Sequence, residues 1–197
     1  QVSPRNMLDA LQLVGLAFVQ AVLWFALSQP WSPLVGLARA YVNSVSRGPK
    51  QVFKNFTEYC ERAGFDAPKD VTGAVDMHIS QYVSFIHHVT GASLIFASYI
   101  RSSPFLFRLG LSFEIGEGVQ HSAQTLHALV WPPGTKPVAD WSSAVCVIVF
   151  AHHSLGLMAG SVAHLYLSTN PDVQLLCTLL LAAAVPGYAN LPLFPLG

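Results

Sequence analysis

Charge is what this sequence has least of. Of 197 residues, only 10% are Asp, Glu, Lys or Arg. Ordinary soluble domains carry roughly 25%, so this chain has too little charge to cover a water-facing surface in the usual way. Ten Lys and Arg balance ten Asp and Glu and no basic block appears, which argues against nucleic acid as a partner. Cysteine is scarce as well. Cys60, Cys146 and Cys177 lie far apart and form no CxxC pair, so neither a disulfide framework nor a thiolate metal site is supported. There is no strand-like alternation of any length, no Gly-rich phosphate loop and no HExxH. The HxxxH and HxxHH clusters of a membrane non-haem di-iron enzyme are also missing, and no spacing suggests a Ser-His-Asp arrangement. Apolar residues, by contrast, make up 52% of the chain, which excludes intrinsic disorder and leaves a small integral membrane protein. The length fits one domain or one membrane bundle. The chain begins at Gln1 rather than Met, so a segment removed upstream is expected.

Four apolar stretches organise the chain. Residues 7–28 are interrupted only by Asp9, Gln12 and Gln20 and end at Pro30, Trp31 and Pro33. That is just long enough to span, since a span needs roughly 20 mainly apolar residues, though the stretch can also lie in the interface. Residues 43–76 are the soluble-looking part, with one short helix expected over residues 51–62. With Arg39 just before it, this region holds six of the ten basic residues, which places it on the cytoplasmic or matrix side. A second span is expected over residues 79–101, a third over 138–167, and a shorter fourth over 173–185, stopping at Pro186-Gly187. Between the second and third, Pro104 opens a stretch mixing Glu114, Glu117, His121 and His127 with apolar residues. It makes a poor lipid-facing span and is read as an interfacial or partner-facing helix. The expected fold is an all-α integral membrane bundle of three to four transmembrane helices with a matrix-side N-terminal extension. Residues 1–42 form an extra membrane or interfacial helix, 43–77 an extramembrane arm, 78–190 the main bundle and 191–197 a tail.

Eight histidines accompany these spans. His87 and His88 fall inside the second, and His152, His153 and His164 inside the third. An ionisable group at membrane depth is costly unless paired or coordinating, which makes each a functional-site candidate. A neutral imidazole bonded to a neighbouring helix is the plainer alternative. In the third span Gly156 lies about 6 Å along the axis from His152, leaving room for a flat macrocycle or another backbone. Gly156 and Gly160 also read as a packing seam. Adjacent His153 points elsewhere, and His164 is about 18 Å from His152, too far to share one iron. It is placed near the membrane surface, toward a propionate or headgroup. Glu117 with His121 and His127 offers one carboxylate and no second cluster, and is set aside as a metal site.

Ser84-Phe85-Ile86-His87-His88-Val89-Thr90-Gly91 resembles the SxxHRxxG signature of the cytochrome b membrane-anchor subunit of succinate dehydrogenase, respiratory complex II. His152-His153-Ser154-Leu155-Gly156, one span later, is similar to the His-x-x-x-Gly element that supplies that family's axial haem ligand. The likeness covers residues 76–190 and rests on these two motifs. His88 stands where the family has arginine, Met158-Ala159 where it has Arg-His, and residues 1–75 have no counterpart.

The resemblance implies a subunit that passes electrons from an iron–sulfur subunit to ubiquinone and has no complete activity alone. Ser84 and His88 would hold the quinone at the arm-side membrane face. His152, or its neighbour His153, would ligate the iron of haem b, with Gly156 giving the porphyrin room and His87 beside the propionates. Implied partners are the flavoprotein and iron–sulfur subunits, a second membrane anchor and membrane lipids, with no nucleic acid, in a mitochondrial or bacterial inner membrane. Other readings stay open: a single-chain di-His haem protein, a non-catalytic accessory subunit of a respiratory complex, and a TLC-type lipid enzyme. The last is loosely suited by a His pair followed one helix later by Glu114.

Overall fold

A computed structural model describes residues 4–29, 31–45, 49–63, 67, 70–130 and 143–193. They form seven α-helices: α1 (Pro4–Leu27), α2 (Pro33–Val45), α3 (Pro49–Ala63), α4 (Val71–Arg101), α5 (Pro104–Val130), α6 (Ser143–Tyr166) and α7 (Pro171–Leu193). Five open on a proline, whose fixed φ and missing N–H suit the first helical position. Side chains complete several of these starts. The Ser32 hydroxyl accepts from the Leu34 N–H, and Asn170 Oδ1 accepts from the N–H groups of Asp172 and Val173. No strand occurs among the described residues. The fold is the all-α bundle expected.

Three helices are long and apolar enough to cross a membrane, through Met7–Leu27, Tyr82–Arg101 and Cys146–Tyr166. The apolar part of α7, Pro171–Val185, is shorter. Burial runs opposite to that of a water-soluble protein. Leu8, Leu11, Val14 and Phe18 of α1 face outward, as do Ile148, Leu155 and Met158 of α6, while Gln20, Ser84, His87, Ser112, Glu117 and Thr125 are inside. Apolar residues outside and polar ones within are what a bilayer as solvent demands. The chain is therefore compatible with a multi-pass membrane protein.

α5 departs from the reading as an interfacial or partner-facing helix. It packs against α1, α4 and α6 and forms the centre of the bundle, so the partners its polar face requires are helices of its own chain. Its glycines let the neighbours approach. A Cβ on Gly116 would fall on Gln20 of α1, and one on Gly110 would come within 2.9 Å of the Gly91 carbonyl oxygen of α4. On the α6 side, Gly160 packs against Ile115. Small residues at such crossings are how membrane helices gain contact when no hydrophobic force separates helix from lipid.

Contacts along the helices fix their directions. Asp9 meets Arg108 and Gln20 meets Gly116, so α1 and α5 run parallel. α4 and α6 run antiparallel to α5: His87 meets Glu114 and Gly91 meets Gly110, while His153 meets His121 and Gly160 meets Ile115. Toward the end where α5 begins, Leu13, Ala17, Ile95, Phe107, Leu111, Ile115, Ala163 and Leu181 form one apolar core drawn from five helices.

At the opposite end α4 extends beyond its apolar span. It starts eight residues earlier than expected, and its first turns pack against α2 and α3. Val35 and Ala38 meet Ile79, Val52 and Phe56 meet Ala74, and the Tyr41 and Tyr82 rings contact edge to face. The soluble-looking arm is thus folded onto α4. α7 continues past the expected stop at Pro186 to Leu193; membrane helices tolerate proline where surroundings re-satisfy the backbone.

Candidate functional site

Between the apolar core and the arm, the bundle interior turns polar. His87 and His88 on α4, Glu114, Glu117 and His121 on α5, and His153 on α6 converge there. Glu114, Glu117 and His121 stand at positions i, i+3 and i+7, so one face of α5 carries all three. His87 is fully buried and Glu117 nearly so, at 3% exposure, whereas the side chains of Glu114 and His121 are about a quarter exposed.

Each carboxylate gathers histidines. Glu114 Oε2 lies 3.0 Å from His87 Nε2 and 3.1 Å from His88 Nδ1. Glu117 Oε1 lies 2.7 Å from His121 Nδ1, and its Oε2 lies 3.5 Å from His153 Nδ1 and 3.8 Å from His87 Nε2. His121 Nδ1 is 3.2 Å from His153 Nε2. His87 therefore links two three-membered groups, His87–His88–Glu114 and Glu117–His121–His153, each with ligand-capable atoms close enough to share one ion. The Trp24 ring of α1 packs edge-on against His87 at 5.4 Å and closes that side. His87 Nδ1 and Glu117 Oε2 are buried without a hydrogen bond. Buried polar atoms are nearly always paired, so each such exception calls for an account.

The residues singled out from the sequence divide between this centre and the outside. His87, His88 and His153 belong to it. Ser84 is buried one turn before His88. His152 and Gly156 face outward from α6, with nothing within 4 Å of where a Gly156 Cβ would sit. His164 is fully buried in the last turn of α6, and neither of its ring nitrogens has a hydrogen-bond partner.

His121 joins the centre, but through Glu117 and His153; His127 takes no part in either group. The second cluster that Glu117 and His121 lack in the sequence is completed from α4, through His87 and His88, which meet Glu114 of α5. Glu114, Glu117 and His121 are the residues that sequence reasoning left unassigned. Their shared face on one helix was the available signal.

A second polar contact lies near the start of α5. Arg108 donates to Asp9 through both terminal nitrogens, at 2.9 and 3.2 Å, and to Gln12 Oε1 at 3.3 Å. This bidentate pair ties α1 to α5. The chain matches no protein-family model, no curated protein and no solved structure.

Proposed function

We propose that this protein is a membrane-embedded enzyme that performs general acid–base chemistry on a lipid or another hydrophobic substrate at the His/Glu centre. The observation that carries the reading is the convergence of two glutamates and four histidines from three helices inside the bundle. A carboxylate that accepts from one imidazole nitrogen fixes the tautomer and raises the basicity of the other. His121, held through Nδ1 by Glu117 and partly exposed, is the base best placed to take a proton from a substrate hydroxyl. Glu114 orients His87 and His88 in the same way. Of the sequence-based readings, the lipid enzyme is the one this geometry favours, because the His pair and the glutamate one helix later come together.

The test is to reconstitute the protein in vesicles of a total lipid extract and follow lipid composition by mass spectrometry. A change in one lipid class is expected, and Glu117→Gln and His121→Gln should abolish it. An identical lipid profile with wild type, either variant and empty vesicles would sink the reading.

A second reading, the haem-binding anchor of a succinate:ubiquinone oxidoreductase in a mitochondrial or bacterial inner membrane, is favoured by the outward face of α6. His152 and Gly156 share that face, Gly156 has open space above it, and a histidine facing lipid is costly without a partner. A haem shared with a second anchor subunit would supply that partner, with His152 as its ligand. On this reading Ser84 and His88 bind ubiquinone, and the arm lies on the matrix or cytoplasmic side. A reduced-minus-oxidised spectrum with a b-type band that His152→Leu removes supports it. A featureless spectrum, with no flavoprotein or iron–sulfur subunit copurifying, rules it out.

A further inference from the structure

We infer that the His/Glu centre is a dinuclear metal site that takes two first-row divalent cations. One ion would be held by His87, His88 and Glu114, the other by Glu117, His121 and His153. The inference deepens the enzymatic reading above and rests on it for what the centre does, though not for where it lies.

Distances come first. An ion bound at about 2.0–2.2 Å to each ligand holds neighbouring ligand atoms about 3–3.5 Å apart. Glu114 Oε2 lies 3.0 and 3.1 Å from its two histidine nitrogens, and in the other group His121 Nδ1 lies 2.7 Å from Glu117 Oε1 and 3.2 Å from His153 Nε2. In each group one donor atom from every residue lies within 4.8 Å of the others, a spacing that an ion would draw in. Glu117 presents Oε1 to His121, while its Oε2 lies between His153 of its own group at 3.5 Å and His87 of the other at 3.8 Å, the placement of a carboxylate between two ions.

Hydrogen bonding alone leaves this arrangement unfinished. Glu117 Oε2 is buried and accepts no hydrogen bond, though three helices converge on it. The carboxylates form their ion pairs with histidine, and Arg108 is committed to Asp9. Two carboxylates at membrane depth need cationic balance. Protonated imidazoles would supply it at the expense of their ligand capacity, whereas two divalent ions leave every imidazole neutral and able to ligate. The two surplus positive charges of the ions would be met by hydroxide or an anionic substrate oxygen at the open positions. The donor set, four imidazoles and two carboxylates without a thiolate, suits iron, zinc or manganese over copper(I) or calcium. Each group provides three protein ligands, leaving positions open for water or a substrate oxygen.

The test uses the full chain in detergent or nanodiscs, stripped with a chelator and titrated with Co²⁺. Visible d–d absorption reports N/O coordination, and elemental analysis reports stoichiometry. Two equivalents are expected, one for each group. Glu114→Gln should lose one of them and Glu117→Gln should weaken both, with circular dichroism confirming that each variant stays helical. A folded wild-type chain that binds one equivalent or none overturns the inference, as does uptake unchanged in both variants. If those variants fail to assemble, His88→Asn, which alters only one ligand at the edge of the centre, must still lower the count; two equivalents retained there would overturn it too. A chelated chain that still transforms lipid overturns the metal and leaves the acid–base reading standing. A chain that takes two ions but transforms no lipid does the reverse.

Discussion

Two polar assemblies sit inside the same bundle, and their difference separates structure from chemistry. Near the start of α5, one arginine is answered by one carboxylate in a bidentate pair, with Gln12 taking a further N–H. Charge is balanced one to one by a fixed cation, although Arg108 Nε stays buried without a hydrogen bond. Two to three turns further along α5, two carboxylates are answered by four imidazoles, none a fixed cation, and buried atoms remain without partners. The first assembly is a charge-matched pair with a fixed cation. The second has more donor and acceptor capacity than its own members use, which is the condition for holding a proton, an ion or a substrate.

Breaking the charge-matched pair should have the largest effect. Arg108→Ala strands a mostly buried Asp9 and should cost about 3–5 kcal/mol of stability, read as lost resistance to chemical unfolding in detergent. The charge swap Asp9→Arg with Arg108→Asp should recover part of it, and no recovery would mean that the pair matters through packing instead. The opposite signature is expected at the His/Glu centre, which holds no fixed cation. Glu117→Gln should lower turnover about 100-fold, the lower end of what a positioned acid or base contributes, with thermal stability nearly unchanged. A large stability loss without a selective loss of turnover would erase the contrast between the assemblies.

Smaller effects test the scaffold that carries both. Gly116→Ala would drive its Cβ into Gln20, forcing α1 away from α5 at a cost of about 1–3 kcal/mol. Gly156→Ala meets nothing within 4 Å and should stay within about 0.5 kcal/mol of wild type. A strong effect at Gly156 on a haem band, without one on stability, would instead favour a cofactor on the outer face of α6.

Much of the scaffold was legible in the sequence. Apolar runs located α1, α4 and α6, and the helix expected over residues 51–62 lies within α3. The role of α5 was not legible, because mean apolarity measures a helix against lipid and cannot say which neighbours it will have. Its Glu114, Glu117 and His121 look too costly for a span until α4 brings His87 and His88 opposite them. Pairing across helices is a tertiary fact. His152 and His153 show the same limit. They are adjacent in sequence, yet the 100° turn per residue sends one into the centre and the other outward, and only the neighbours decide which.

The tight joint between α4 and α5 bears on how the protein is made. Only Ser102 and Ser103 separate the two helices. Ser102 takes a left-handed backbone, Ser98 Oγ donates to the Ser103 carbonyl, and the Ser103 hydroxyl accepts from the Leu106 N–H. A connection this short makes the pair a hairpin that emerges from the ribosome as one unit. A carboxylate entering the bilayer alone costs about 2.5–3.5 kcal/mol at the helix centre. In the hairpin, Glu114 comes opposite His87 as the second arm forms, so the polar groups can cross the insertion machinery already facing each other. Insertion of α5 is thereby coupled to insertion of α4: lengthening the joint should hinder membrane integration of the second arm before it disturbs any contact in the finished bundle.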